Sequence, residues 1–284
     1  MTERSASWRI ISSPAADGAA NMAIDEAILE AVRQGQSPPT LRLYTWKPAC
    51  LSIGRFQRAG RSADFDALAS RGYDFVRRPT GGRAVLHDNE LTYAVIANAD
   101  DLAAVGDGIN TGAGVLHTYL ALSRGLAAGM ARMGISVVLA PRDAGGVAAG
   151  GSAACFDSPS AYELTAAGRK IVGSAQVRRG SSFLQHGSIP LWMDFAAVEA
   201  VMGLPPGSGS ELSRRVATVG EFTPGFSPNA DSARILAQLA EAITAGLVSE
   251  VMKNALPGQL TQAELELASQ LDTRYRSQDW NLSR

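Results

Sequence analysis

Cys155 and Lys170 are the residues of this sequence whose types and spacing could carry group-transfer chemistry. Cys155 lies in a run of small residues, Ser152-Ala153-Ala154-Cys155-Phe156-Asp157, and not in an apolar period. Buried structural cysteines occupy core positions of strands or helices, which describes Cys50, the only other cysteine. A cysteine on a small-residue loop is more accessible, and its thiolate is the reactive form. An ammonium held nearby would favour that thiolate and lower the thiol pKa. Lys170, fifteen residues on, can return toward the Cys155 loop if a strand over Tyr162–Thr165 doubles back through an Ala167-Gly168 turn. Taken alone, Lys170 reads as a solvated turn lysine. The uncharged Ile171–Gln176 stretch that follows argues instead for a strand lining a pocket, where a lysine is costly and needs a purpose.

A second chemical segment is Arg77–Asp88, RRPTGGRAVLHD. Gly81 and Gly82 remove two side chains where a strand turns, so backbone N–H groups can approach a ligand closely. Arg78 and Arg83 flank that bare backbone and can donate forked hydrogen bonds to a carbonyl or phosphate. The segment is neither a phosphate-binding Walker loop nor a dinucleotide fingerprint, since it has no Lys-Ser/Thr and no GxGxxG spacing. A plain hairpin turn with solvated arginines is the competing reading. The crowding of Arg78, Arg83, His87 and Asp88 favours a ligand site, with His87 the weaker member, able merely to hydrogen-bond the turn. The three histidines, at 87, 117 and 186, show no CxxC or HExxH spacing, so neither a metal nor a cofactor is expected.

The elements that must position these residues follow from periodicity. Ile24, Ala27, Ile28 and Ala31 repeat as one helix face within Asn21–Val32, with Asp25, Glu26 and Glu30 largely off that stripe. TLRLYTW (Thr40–Trp46) alternates as a half-buried strand should, and Cys50–Ile53 is a second short strand. A short helix over Asp64–Ser70, stopped near Gly72, precedes strands at Asp74–Arg78 and Glu90–Ala97. Thr111–Met133 reads as the longest helix, Ile135–Leu139 as a buried β-branched strand, and Pro141–Ala154 as a loop. Strands at Tyr162–Thr165, Lys170–Val177 and Phe183–Leu191 are expected to form a meander, turning at Ala167-Gly168 and Gly180-Ser181. Ser227–Val251 is helical, and Thr261 with Glu264 marks a capping box for a last helix. Strands interleaved with helices predict a mixed sheet flanked by helices. The division expected is a catalytic domain over 1–255 and a C-terminal helical appendage over 256–284.

With 284 residues, 46% hydrophobic and 19% charged, the chain has ample material for a core. Lys+Arg 26 against Asp+Glu 27 leaves no concentrated positive charge for nucleic acid. No apolar run approaches the length of a membrane span, and Met1–Ile10 lacks the apolar core of a secretory signal. Two distant cysteines make a poor disulfide framework, so free thiols in a reducing cytoplasm are expected.

Together these segments resemble the lipoate/octanoate branch of the biotin/lipoate protein ligase superfamily. NMAIDEAIL, TLRLYTW with ACLSIGRFQ, RRPTGGRAVLHDNELTYAV, ACFDSPSAYEL with GRKIVGSAQVRR and LQHGSI, and the tail TRYRSQDWN match in order over nearly the whole chain. Within that branch it looks most like the LipM-type octanoyltransferases. Arg83 stands where ATP-dependent lipoate ligases usually carry a third glycine, and Cys155 matches the acyl-thioester cysteine of the transferases. By the same match Lys170 corresponds to the lysine that lowers that cysteine's pKa, although the ligases also keep a lysine there.

The resemblance implies an α/β (α+β) fold with a mixed, largely antiparallel sheet flanked by helices. It implies a cytoplasmic acyltransferase of protein lipoylation that uses no ATP. The Cys155 thiolate would take octanoate from octanoyl-acyl carrier protein. A lysine of a lipoyl-domain acceptor, such as glycine cleavage H protein or a 2-oxoacid dehydrogenase E2, would then receive it as an amide in a second covalent step. Arg78, Gly81, Gly82, Arg83, His87, Gly173 and Ser174 are the expected substrate-binding residues, with backbone N–H groups near Gly81–Gly82 or Ser174 as oxyanion donors. Arg178, Arg179, Arg214 or Arg215 could form a docking patch for an acidic carrier, against simple solvation of each. An ATP-dependent lipoate ligase, an amidotransferase between lipoyl domains and a non-catalytic acyl-binding protein are the competing functions.

Overall fold

The computed structural model describes residues 7–103, 114–140 and 163–283. Cys155, the Pro141–Ala154 segment and the first residues of the Thr111–Met133 helix lie outside the described residues.

Among the described residues, twelve strands fall into three sheets. The main sheet runs β10 (Gly173–Arg179), β11 (Ser182–Pro190), β6 (Glu90–Asn98), β2 (Thr40–Tyr44), β1 (Arg9–Ser12), β12 (Leu256–Pro257). Its first four strands pair antiparallel, and β1 is parallel to both neighbours. A second sheet is β4 (Asp74–Arg77), β3 (Cys50–Ile53), β5 (Val85–His87), and a third is β7 (Val138–Leu139), β8 (Leu164–Ala166), β9 (Arg169–Lys170). The helices are α1 (Gly18–Arg33), α2 (Ala59–Ser62), α3 (Phe65–Arg71), α4 (Ala99–Ala103), α5 (Val115–Arg132), α6 (Phe195–Val201), α7 (Ser208–Ser213), α8 (Pro228–Glu250), α9 (Gln262–Arg276) and α10 (Gln278–Asn281). This is a mixed α/β fold with a mostly antiparallel main sheet between helical layers. Among the described residues no helix is long and apolar enough to cross a membrane.

The side-chain period of two explains how β2 serves two layers. Leu41 and Leu43 join Tyr93, Val95, Leu126, Leu239 and Ile243 in the core beneath α5 and α8. Those helices pack closely because glycines line the contact: a Cβ at Gly246 would lie 2.3 Å from the Gly129 nitrogen. The other face of β2 presents Thr40, Arg42 and Tyr44 toward α1. All five residues of β2 are buried, so the strand is not half-buried as its alternation suggests. Its polar half faces a buried carboxylate, Asp25, rather than water. The same contact corrects α1: Asp25 and Glu26 lie off the apolar stripe yet are buried, because a second face of the helix packs against β2 and α9.

Three further expectations change. The strands after residue 162 form no single meander: β8 and β9 pair in the small third sheet, whereas β10 and β11 belong to the main one. Ala167 and Gly168, both with positive φ, turn the first pair. Of Ile135–Leu139 only Val138 and Leu139 form a strand; both are exposed, while Ile135 alone is buried in the core. The longest described helix is α8, not the segment containing α5.

Residues 256–283 contribute β12 to the sheet edge and α9 against α1. Glu264, the capping-box acid of α9, also pairs with Arg9 at 2.6 Å. Glu26 on α1 receives Arg179, Arg274 and Tyr275. At α10, the Asn281 side chain accepts from the Arg77 backbone N–H at 2.7 Å. The Arg77 guanidinium donates to the Trp280 and Asn281 carbonyls, and also to those of Gly54, Arg55 and Gln57. The tail thereby grips the strand that leads into the glycine turn.

Candidate active site

A cleft opens between the second sheet and the main sheet. Alternation places its lining. Ser52 and Val85 are cross-strand partners on one face of the second sheet, with His87 two residues beyond Val85. Opposite them, Gly173–Ser188–Thr92–Tyr44 and Ala175–His186–Ala94–Arg42 form two cross-strand rows on the facing side of the main sheet. Arg78, His87, Gly173 and Ser174 of the expected binding residues line this one cleft.

The glycine turn hangs from Arg78. Its Nη2 donates to the carbonyls of Gly81 at 2.9 Å and Arg83 at 2.6 Å. Its Nη1 donates to Ser52 Oγ at 3.1 Å and its Nε to Thr80 Oγ1 at 3.1 Å. Each nitrogen of the Arg78 guanidinium is thus engaged inside the protein, on its own turn and on Ser52. Gly82 has φ +91°, and a Cβ there would meet the Arg78 guanidinium at 2.8 Å. Across the turn, a Cβ on Gly54 would fall 2.0 Å from the Gly82 carbonyl oxygen, so both positions need glycine. In a trans peptide the C=O of one residue and the N–H of the next point in opposite directions. With the Gly81 carbonyl on Arg78 and the Thr80 carbonyl on the Arg55 N–H, the amides of Gly82 and Gly81 point away from those anchors. Neither finds an acceptor among the described residues. Arg83 enters this network through its carbonyl.

Two imidazoles stand on the cleft walls. His87 Nδ1 meets Glu90 Oε1 at 2.8 Å, its Nε2 meets Ser52 Oγ at 2.7 Å, and Trp46 stacks on its ring with centroids 4.0 Å apart. Glu90 also accepts from Thr92 and Ser188. His186 Nε2 meets Thr80 Oγ1 at 2.8 Å and its Nδ1 meets Asp25 Oδ2 at 3.3 Å. Burial pushes the His186 imidazole below its usual range, against the pull of Asp25. Burial acts to raise the Asp25 carboxyl, but Arg42, at 2.7 Å, and His186 hold it below the usual carboxylate range. The sequence reading missed Asp25, Ser52, Thr80, Glu90 and His186 as members of this site. For Ser52 and His186 the signal was strand alternation, which places them on cleft-facing positions once the strand register is known.

Lys170 is buried in β9, with its N–H on the Arg215 carbonyl and its own carbonyl accepting from Ala217 N–H. Its ammonium donates to Glu163 Oε1 at 2.7 Å. It does not line the cleft, but Ile171 and Val172 link it directly to Gly173 and Ser174, which do. Any contact of Lys170 with Cys155 falls outside the described residues. Cys50 is a core cysteine whose thiol burial pushes far up. Of the arginines considered for docking, Arg179 is bound to Glu26 and Arg178 donates to Thr118. Among the described residues no group of three or more His, Cys, Asp or Glu could hold a metal ion.

The lipoyl protein ligase A/B catalytic domain matches residues 17–242. An octanoyltransferase LipM from Kyrpidia tusciae is 43% identical over 284 residues, covering 96% of this chain and 98% of that protein. The chain belongs to the LipM octanoyltransferase family. Another family member, octanoyltransferase LipM of Moorella thermoacetica, is 39% identical over 96% of this chain and 97% of its own length. Among solved structures, a lipoate-protein ligase A bound with ATP superposes with a TM-score of 0.76 at 22% identity, covering 97% of this chain and 98% of that one. That likeness extends the family's fold to the ligases.

Proposed function

We propose that this chain is an octanoyltransferase of protein lipoylation that moves an octanoyl group from acyl carrier protein, through a thioester on Cys155, to a lysine of a lipoyl-domain acceptor. The observation that carries this reading is the chemistry of the cleft in a chain 43% identical to an octanoyltransferase. Of the described lining residues only Arg78 bears a permanent charge, and its three nitrogens are bonded to the turn and to Ser52. Such a wall suits an uncharged acyl thioester better than a triphosphate or a free carboxylate, which would need open cationic donors.

In this mechanism the Cys155 sulfur attacks the thioester carbonyl and the carrier thiol leaves. The acceptor amine then attacks the acyl-enzyme, cysteine leaves, and an amide remains. The Gly81 and Gly82 amides, whose carbonyl neighbours are anchored elsewhere, supply N–H donors to the developing oxyanion. Gly173 and Ser174 line the acyl path. The Lys170 ammonium, paired in its buried position with Glu163, favours the Cys155 thiolate. We further assign residues 256–284 as a brace: the α10 grip on Arg77 holds the strand preceding the turn.

Incubation with octanoyl-carrier protein without ATP is expected to give an octanoyl adduct, read by intact mass and labile to hydroxylamine, that is absent in Cys155→Ser. Lys170→Ala is expected to slow alkylation of Cys155 at neutral pH by about tenfold, one pKa unit of lost thiolate. An adduct that needs ATP and free lipoate would make the chain a ligase; acyl binding with no turnover onto lysine would make it a binding protein.

A further inference from the structure

Arg78 joins two hydroxyl–imidazole–carboxylate chains: Ser52–His87–Glu90 on one side and Thr80–His186–Asp25 on the other. The proton inventory gives the second chain a direction. Asp25, held ionised by Arg42, only accepts, so His186 carries its proton on Nδ1. The neutral ring then has a bare Nε2, and the Thr80 hydroxyl must donate to it. That leaves the Thr80 oxygen lone pairs to receive the Arg78 Nε–H. The opposite tautomer would put an N–H against Thr80 and deprive the Thr80 proton of its acceptor. Arg78, aimed in this way, holds the carbonyls of Gly81 and Arg83.

We propose that Thr80, His186 and Asp25 are positioning residues for acyl transfer, a relay that aims Arg78 at the Gly81 carbonyl and thereby sets the direction of the Gly82 amide. The inference rests on the octanoyl-transfer reading above. A turn serving only as a connection between two strands has no use for a second buried imidazole–carboxylate pair on the same guanidinium, since such pairs carry a desolvation cost. The relay makes the amide direction depend on one hydroxyl proton.

Thr80→Val removes that proton and the acceptor for Arg78 while keeping the side-chain shape. The expected result is a fall in kcat of roughly tenfold to a hundredfold, with KM for octanoyl-carrier protein unchanged within about twofold, because binding is retained and oxyanion stabilisation is lost. Thr80→Ser, which restores the hydroxyl, is expected to return kcat to within about threefold of the wild type. A folded Thr80→Val protein with wild-type kcat, or one that changes only KM, overturns the proposal. If Thr80→Val does not fold, imidazole 15N shifts of the wild-type protein decide: a His186 ring protonated on Nε2 alone overturns the relay, and one protonated on Nδ1 supports it. Wild-type protein unable to transfer octanoate sinks the functional reading instead, and the imidazole shifts then still judge the relay.

Discussion

Arg78→Lys is expected to lower kcat for octanoyl transfer by about a hundredfold or more, the scale on which small displacements of positioning groups act. Lysine keeps the charge but replaces a planar five-donor fork with three donors on one atom. One ammonium cannot reach Thr80, Ser52, Gly81 and Arg83 together, as the guanidinium does. The split between kinetic constants separates two roles. If Arg78 gripped substrate, KM for the octanoyl carrier would carry the loss. As the brace of the turn it should leave KM nearly unchanged and depress kcat, with a lower thermal midpoint from the orphaned Gly81 and Arg83 carbonyls. Steady-state kinetics with octanoyl-carrier protein and calorimetry on the same preparation check both; a variant within about threefold of wild-type kcat would show that strand pairing alone holds the turn.

Arg42→Met is expected to destabilise the protein by about 3–5 kcal/mol, because it strands the fully buried Asp25 without its cation. The neighbouring groups raise the stakes. Arg42 also donates to the Asn21 backbone and side chain and to Ser13 Oγ, and lies over the Tyr44 ring at 4.0 Å. Asp25→Asn in the Arg42→Met background is expected to recover more than half of the loss by removing the unpaired charge. That double variant would be stable and still slow in transfer, since the introduced amide leaves the His186 tautomer unspecified. Urea unfolding gives the measurement, with the midpoint moving and the slope constant. A single variant within about 1 kcal/mol of wild type would mean that Asp25 survives neutralised in the core.

Most of the elements were legible because their period, caps and turns agree. Asp64 and Gly72 bound α3, Thr261 and Glu264 cap α9, and Ala167-Gly168 turns β8 into β9. The glycine turn was legible from its bare backbone and flanking arginines, but the role of Arg78 was not. Whether a guanidinium faces a ligand or its own turn depends on carbonyl directions, which composition does not encode. Asp25 was hidden for a related reason. A charge off the apolar stripe ordinarily meets water, and only the packing of α1 on β2 places Arg42 opposite it. His186 needed the register between β11 and β6, strands roughly ninety residues apart, before its cleft-facing position could be known. Lys170 drew notice as a lysine too costly to bury without a purpose, and the structure places Glu163 beside it as a buried counter-ion.

The joining of distant segments at the sheet edge and the tail has a kinetic consequence. Arg9 and Glu264 are separated by 255 residues, and Arg77 and Asn281 by 204. Closing loops of that length is entropically unfavourable, and chains rich in such contacts fold slowly. Helices α5 and α8, whose hydrogen bonds are local, can form well before β12 seats beside β1 and Asn281 reaches Arg77. On refolding, helical circular dichroism is therefore expected to recover ahead of acyl-transfer activity, so that a chain can look native by its backbone before its glycine turn is set.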